Sequence, residues 1–109
     1  MQLPNVKDAV IDERKLRDYV LSTSHPVGRF KARFFAALGY TSDDWERFGS
    51  DLKALATTNE AELGETTPFG QKYLVSGELT GPAGRKAAVV TVWIVLADDN
   101  PHLVTVYPR

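Results

Sequence analysis

The sequence predicts an α+β domain in which amino-terminal helices pack on one face of a carboxyl-terminal antiparallel β-meander of three to four strands. Apolar residues recur at three- and four-residue intervals up to about residue 56, and from Gln71 onward they alternate with polar residues. Short turn clusters, not helices, separate the alternating stretches. Helices followed by consecutive hairpins are typical of α+β domains. With 109 residues, the chain is expected to form a single domain over residues 1–109.

Three helices are expected in the amino-terminal half, over about 13–21, 26–38 and 41–56. Asp12 can cap the first helix, because an aspartate accepts hydrogen bonds from the free amides of a first turn. Gly39 can supply the left-handed residue that ends the second helix. The residues expected to face the core are Val27, Phe30, Phe34, Ala37 and Leu38 in the second helix, and Trp45, Phe48, Leu52 and Leu55 in the third.

The second half is expected to form three antiparallel strands, over about 71–79, 86–96 and 102–107. These stretches alternate or are rich in β-branched residues, and the clusters GPAG and ADDNP between them are typical turn sequences.

The segment 57–70 has no period and is rich in turn formers and acids, which predicts a mobile loop. A fourth strand could come from this loop before Pro68, or from the stretch between Val6 and Ile11. Either could pair with an edge of the sheet, and the sequence leaves both open.

The central strand has two different faces. The even-numbered face is uniformly aliphatic and is therefore assigned to the helices; it consists of Ala88, Val90, Val92, Ile94 and Leu96. The opposite face would then carry Thr91 and Trp93 beside Thr105 and Tyr107 of the last strand. A one-residue bulge would reverse this register. Alternatively, Trp93 and Tyr107 form a second small core beneath the loop.

Composition excludes several classes of function. The chain has no cysteine, which rules out disulfides, thiol catalysis and thiolate metal sites. Its two histidines, His25 and His102, lack the spacing of metal ligands, and no glycine-rich phosphate loop is present, so neither a metal nor a cofactor is expected. No secretory leader or membrane-spanning run is recognisable. We therefore expect a cytoplasmic protein with no membrane partner.

Charge is unevenly distributed along the chain, although the net charge is only −1. Residues 1–40 carry seven Lys and Arg against four Asp and Glu, a balance of +3. Residues 41–66 carry two against seven, a balance of −5, and residues 67–109 carry four against three. A basic face and an acidic face can therefore coexist.

The stretch SHPVGRFKARFF, residues 24–35, places polar groups at the start of the second helix. At about 100° per residue, His25, Gly28 and Lys31 share one flank, whereas Arg29 and Arg33 lie further outward. His25 could act as a general acid or base, and Lys31 could hold a phosphate. The alternative is structural: a capping histidine and a solvated basic face.

The last two strands add groups that can bind RNA. Thr105 and Tyr107 could orient a ribose or phosphate through their hydroxyls, and Trp93 could stack on a base. Together with His25 and Lys31, these groups suffice for RNA cleavage without a metal. That reaction requires the 2′-hydroxyl to lose a proton and the leaving oxygen to gain one.

Three stretches, HPVGRFKARFFAALGY, TPFGQKYLVSGELTGPAGRKAAVVTVWIV and PHLVTVYPR, resemble a family of uncharacterised bacterial domains. Its members are small stand-alone proteins or the carboxyl ends of polymorphic toxins, and they are similar to the barnase, EndoU, colicin and RelE ribonucleases. The resemblance implies a toxin-like endoribonuclease with an antitoxin or immunity partner. It implies catalytic roles for His25, Lys31, Thr105 and Tyr107, and substrate binding by Trp93. Thr91 on the predicted open face and Arg29 on the second helix are further candidates for substrate binding.

Two other functions stay open. Ribonucleases of this kind are commonly basic, because phosphate contacts supply much of their affinity, whereas this chain is slightly acidic. It could instead be a non-catalytic immunity or antitoxin-like module whose acidic segment 41–66 meets a basic toxin. A small-molecule pocket between the loop 57–70 and the sheet is a third possibility. The sheet edges would also allow a homodimer.

Overall fold

The computed structural model describes residues 1–17, 21 and 29–109, without the side chains of residues 29 and 30. Four strands form one antiparallel sheet in the order β1-β2-β3-β4. The elements are α1 (Glu13–Lys15), α2 (Arg29–Ala37), α3 (Trp45–Thr58), β1 (Ala61–Thr67), β2 (Gly70–Thr80), β3 (Lys86–Val95) and β4 (Pro101–Pro108), with 3-10 turns at Val6–Asp8 and Ser42–Asp44. The predicted α+β class, with helices packed on an antiparallel meander, is confirmed.

The amino-terminal end of α1 is capped as the sequence predicts. Asp12 Oδ1 accepts a hydrogen bond of 2.9 Å from the backbone N–H of Arg14 in α1. The first predicted helix continues into residues 18–20, which lie outside the described residues. The predicted start of the second helix at Pro26 also lies outside them.

The residues that α2 and its end bury agree with the prediction only in part. Ala32, Phe35 and Leu38 are at most 4% exposed, whereas Ala37 is exposed and Phe34 is only partly buried. The prediction for Ala37 is therefore wrong. Phe35 faces the core because its ring packs on Phe48 of α3, with centroids 4.9 Å apart. Val27 and the side chain of Phe30 lie outside the described part of the chain.

Helix α3 buries the side that the sequence predicts. Phe48, Leu52 and Leu55 are at most 4% exposed, and Trp45 packs against this core. Gly49 within the helix has a packing reason, since a Cβ at this position would lie 3.3 Å from Leu16 Cδ1. The absence of a side chain lets the amino-terminal segment lie close against α3.

The predicted mobile loop over 57–70 is wrong, because half of it is strand β1 and its ends belong to α3 and β2. Ala61 pairs with Val75 and Leu63 with Tyr73, and the register shifts between Leu63 and Thr66. This irregularity, together with the exposed acids, hides the two-residue period that would identify a strand. The loop before Pro68 is thus the source of the fourth strand.

The other candidate for a fourth strand also contacts the sheet, at the opposite edge. Val10 donates its N–H to Pro101 O at 2.8 Å, and Leu103 N–H donates to Val10 O at 3.0 Å. These two bonds make a single parallel bridge between Val10 and His102. The amino-terminal segment therefore covers the first part of β4.

The two faces of the sheet are the reverse of the prediction. Val89, Thr91 and Trp93 are completely buried, and Val89 and Trp93 belong to the core cluster that contains Phe48 and Leu52 of α3. We call the opposite side the outer face; it carries Leu74, Val90, Val92, Ile94, His102, Thr105 and Tyr107.

A bulge in β4 explains why Thr105 and Tyr107 nevertheless lie where the sequence predicts. Trp93 pairs with Leu103, but Val92 pairs with Thr105, so Val104 is the additional residue. The bulge changes the side on which the later residues project. Thr105 therefore shares the outer face with Val92, while Trp93 lies on the helix-facing side.

Candidate functional site

Lys31 and Thr105 meet on the edge of the sheet, although 74 residues separate them in the chain. Lys31 Nζ donates a hydrogen bond of 2.8 Å to Thr105 Oγ1. Lys31 extends from the first turn of α2, and its partial burial lowers the pKa of its ammonium group below the usual value. The contact places a partly desolvated positive charge beside the outer face.

The β4 bulge positions this contact. Lys15 of α1 donates from Nζ to the carbonyl oxygen of Val104, the bulged residue, at 2.9 Å. One lysine therefore binds the backbone of the bulge, and Lys31 binds the hydroxyl of the residue that follows it. A bulge redirects the side chain that follows it. By stabilising the bulge, Lys15 therefore helps to hold Thr105 on the outer face.

Tyr107 lies next to Thr105 on the same face. The two residues are two positions apart on β4, and Tyr107 pairs with Val90 as Thr105 pairs with Val92. Their Cα atoms are therefore about 7 Å apart. Tyr107 is partly exposed, and within the described residues its hydroxyl has no hydrogen-bond partner. Its hydroxyl is available to bind a ligand.

Two other predicted site residues do not join this group. Trp93 and Thr91 are 0% exposed on the helix-facing side. Their predicted position on the open face is wrong, because the aliphatic β3 residues form the outer face instead. Stacking on a base needs an accessible ring face, which Trp93 does not offer. His25 and the side chain of Arg29 lie outside the described residues.

His102 is a polar residue of the outer face that sequence reasoning passed over. It pairs with Ile94 on β3, and its Nε2 lies 2.9 Å from Asp98 Oδ2 in the β3–β4 turn. Asp98 also accepts a 3.0 Å hydrogen bond from Asn100 N–H. These bonds, the one from Asn100 first, lower the pKa of Asp98. The four-residue spacing of Asp98 and His102 across a turn was the available signal, but this histidine was considered only as a metal ligand.

A family model described as a domain of unknown function, DUF6883, matches residues 2–109. The chain belongs to this family. No curated protein matches it.

A solved structure shares the fold. The chain is similar to a chain of the contact-dependent growth inhibition toxin–immunity protein complex from Klebsiella pneumoniae 342, with a TM-score of 0.73 and 17% identity. The match covers 92% of this chain and 99% of that chain. At this identity the similarity establishes the fold, and it does not distinguish a toxin chain from an immunity chain.

The β1 part of the acidic segment 41–66 lies at the sheet edge opposite the Lys31–Thr105 contact. The segment comprises the 3-10 turn before α3, α3 itself and β1, and β1 and β4 are the opposite edges of the sheet. At the end of the β1–β2 hairpin Phe69 is 78% exposed, and Leu63 on β1 is 63% exposed. The domain therefore has an acidic edge with exposed apolar residues, and a separate edge with Lys31.

Other kinds of site have less support within residues 1–17, 21 and 29–109. No group of three or more potential metal ligands occurs there, and no helix is long and apolar enough to span a membrane. The small-molecule pocket expected beneath segment 57–70 has lost its basis, because β1 continues the sheet and does not cover it. A cleft of about 310 Å³ does lie between Leu16 and the Trp45 side of α3.

Proposed function

We propose that this protein is a metal-independent endoribonuclease of the toxin type, which cuts RNA by activating its 2′-hydroxyl. The observation that carries the proposal is the 2.8 Å hydrogen bond from Lys31 Nζ to Thr105 Oγ1 beside Tyr107. Lys31, Thr105 and Tyr107 thus place a cation and two hydroxyls on the outer face. The oxygens of a phosphodiester can accept hydrogen bonds from all three groups.

Lys31 would stabilise the negative charge that develops on the phosphate. Partial burial weakens the screening by water, so its ammonium interacts more strongly with an anion than a fully solvated lysine does. Thr105 Oγ1 already accepts a hydrogen bond from Lys31 Nζ, so its own hydroxyl proton is free to be donated to a phosphate oxygen. Tyr107 would donate to a second oxygen or to the ribose.

The reaction needs no external reagent. The 2′-oxygen loses its proton and forms a bond to phosphorus, the bond from phosphorus to the 5′-oxygen breaks, and that oxygen takes up a proton. The products are a 2′,3′-cyclic phosphate and a 5′-hydroxyl. In this proposal His25 transfers one of the two protons, and Arg29 binds the RNA backbone.

The fold similarity is compatible with this function, since the related chain comes from a toxin–immunity complex. We propose an antitoxin or immunity protein as partner, as is usual for a toxin that would otherwise damage its host. The cytoplasmic location and a homodimer through a sheet edge stay predictions.

To test the proposal, the purified chain is incubated with total bacterial RNA in EDTA, and the ends of the cleaved RNA are mapped. We expect 2′,3′-cyclic phosphate ends from the wild type and at least a 100-fold slower reaction from Lys31→Met. Lys15→Met is the matched control, because this lysine also donates from a helix to β4, but to a carbonyl. Equal cleavage by wild type and Lys31→Met, or no cleavage by either, would refute the proposal.

A second candidate function rests on the acidic edge. An immunity or antitoxin-like module would use the acids at this edge, Glu60 just before β1 and Glu62 within it, to bind a basic toxin. Co-expression with a panel of basic ribonuclease toxins tests this: protection that is lost in Glu60→Lys plus Glu62→Lys, and kept in Lys31→Met, would favour it. Loss of protection in Lys31→Met alone would argue against it.

A further inference from the structure

We propose that His102, held by Asp98, is the base that removes the 2′-hydroxyl proton in the proposed ribonuclease reaction. The inference rests on the proposed function and adds to it a catalytic residue on a described part of the chain.

The reaction requires two proton transfers, and the chain contains two histidines. His102 is on β4, the same strand as Thr105 and Tyr107, and its pairing with Ile94 places it on the same outer face. Because of the bulge, His102 and Thr105 pair with Ile94 and Val92, which are two positions apart on β3, and this corresponds to about 7 Å. A dinucleotide lying along β4 would thus present one phosphate to Lys31 and its sugar towards His102.

The contact with Asp98 determines which ring nitrogen can act. An ionised carboxylate only accepts hydrogen bonds, so Nε2 of His102 must carry the proton that lies between them. In the neutral imidazole, Nδ1 is then the unprotonated nitrogen. Within the described residues, His102 has no other hydrogen-bond partner, so the Nδ1 lone pair is available to accept a proton. The arrangement therefore favours a base over an acid.

Charged groups on the neighbouring strands and helices do not replace Asp98. Lys72 of β2 lies in the same cross-strand row, beyond Ile94, and its Nζ is bound to Glu65 at 3.1 Å. On the helical side, Lys15 binds the bulge and Lys31 binds Thr105. When the 2′-hydroxyl proton moves to Nδ1, the resulting imidazolium is stabilised by the carboxylate of Asp98. Asp98 is a positioning residue, and it touches no substrate atom.

The test compares wild type, His102→Ala and Asp98→Asn in the RNA-cleavage assay. We expect kcat to fall by about 100-fold or more in His102→Ala and by about 10-fold in Asp98→Asn. Asp99→Asn is the matched control, because this neighbour lies in the same turn with a left-handed backbone (φ 64°) that asparagine also adopts. Added imidazole should partly restore His102→Ala. Thermal melting checks that each variant is folded.

A second readout does not need catalysis. Binding of a 2′-deoxy tetranucleotide, which cannot be cleaved, should shift the ring Cε1–H signal of His102 in proton NMR. The ¹⁵N signals should show a protonated Nε2 and an unprotonated Nδ1 in wild type, with a mixture of tautomers in Asp98→Asn. This spectroscopic difference separates positioning from a merely structural effect.

The outcomes distinguish the two proposals. If wild type cleaves RNA, Lys31→Met does not, and folded His102→Ala keeps activity within twofold, the role of His102 is wrong and the ribonuclease proposal stands. If wild type neither cleaves RNA nor shifts the His102 signal with the tetranucleotide, both proposals fall.

Discussion

Trp93 Nε1 donates a hydrogen bond of 2.8 Å to Thr91 Oγ1, and both residues are completely buried between the sheet and the helices. Thr91 Oγ1 in turn donates to Val75 O at 2.8 Å on the neighbouring strand. The single hydroxyl therefore satisfies an indole N–H and a second lone pair of a strand carbonyl. These two hydrogen bonds make a polar residue acceptable at the centre of the core.

Thr91→Val should destabilise the fold although it preserves the shape of the side chain. The buried indole N–H would lose its acceptor, which costs about 1–3 kcal/mol. Urea unfolding at pH 7 measures the change. Thr57→Val, on the exposed side of α3, serves as the control and should stay within about 0.5 kcal/mol of wild type. Equal stability of Thr91→Val and wild type would show that the network is dispensable.

The same network explains why the sequence assigned the sheet faces incorrectly. A face of alanine, valine and isoleucine is more apolar than one with threonine and tryptophan. The prediction placed the more apolar face against the helices. What the sequence does not display is that Thr91 can satisfy Trp93, and that the bulge at Val104 moves Thr105 to the other side. The hydrogen bond joins residues only two positions apart, but it forms because both side chains are buried on the same face, and the bulge depends on the pairing of β3 with β4.

Tyr40 should make the stability of the fold sensitive to alkaline pH. Its hydroxyl donates to Asp51 Oδ2, and burial, followed by this carboxylate, raises the pKa of Tyr40 well above its usual value. Above about pH 10 the unfolded chain therefore binds fewer protons here than the folded one, and stability falls as pH rises. Below that pH, the contribution is fully present.

Urea unfolding of wild type and Tyr40→Phe between pH 8 and 11 checks this expectation. Wild type should lose stability relative to the variant as the pH passes 10. Asp51→Asn, which removes the carboxylate but keeps an acceptor, should show a smaller loss than wild type. Parallel curves for wild type and Tyr40→Phe would contradict the assignment.

Gly81 allows the β2–β3 turn to lie close against the end of α2. Ala83 N–H donates to Leu38 O at 3.0 Å, and a Cβ on Gly81 would collide with the same carbonyl oxygen. Gly81→Ala should therefore cost about 4 kcal/mol. Gly84→Ala in the same turn meets nothing within 4 Å and has only its left-handed backbone to strain (φ 80°), at about 1–2 kcal/mol.

Thermal and urea unfolding of the two glycine variants measure this difference. A larger loss for Gly84→Ala than for Gly81→Ala would mean that the turn moves away from α2 easily. The turn itself was predictable from GPAG, but its attachment to Leu38 was not, because that contact joins residues more than 40 positions apart.

The candidate site was predictable in part for a physical reason. A helical flank and a strand face are periodic, so Lys31, Thr105 and Tyr107 could be named from spacing, and the structure brings Lys31 to Thr105. Strand β1 could be named only as one of two candidates for a fourth strand, because its bulge and its acids obscure the alternation. The contact between Asp98 and His102 depends on how one turn closes, and spacing alone does not specify that.

Lys31 should lower the stability of the fold while serving the proposed activity. Burial lowers the pKa of its ammonium, so between its folded pKa and the unfolded value near 10.5 the unfolded state binds more protons. Stability of wild type therefore rises with pH in that window, and the charged form is the costly one at neutral pH. Lys31→Met removes the charge and should be more stable than wild type at pH 7.

The difference between Lys31→Met and wild type should shrink as the pH approaches the unfolded pKa of lysine, because the buried amine is then already neutral in the folded state and no charge has to be desolvated. Urea unfolding between pH 7 and 10.5 measures it, and Lys53→Met on α3 provides a comparison lysine away from β4. A gain in stability combined with a loss of RNA cleavage is the expected signature of a charge kept for function. If Lys31→Met were instead less stable than wild type at every pH, the hydrogen bond to Thr105 would outweigh the cost of burial, and a structural role would account for Lys31.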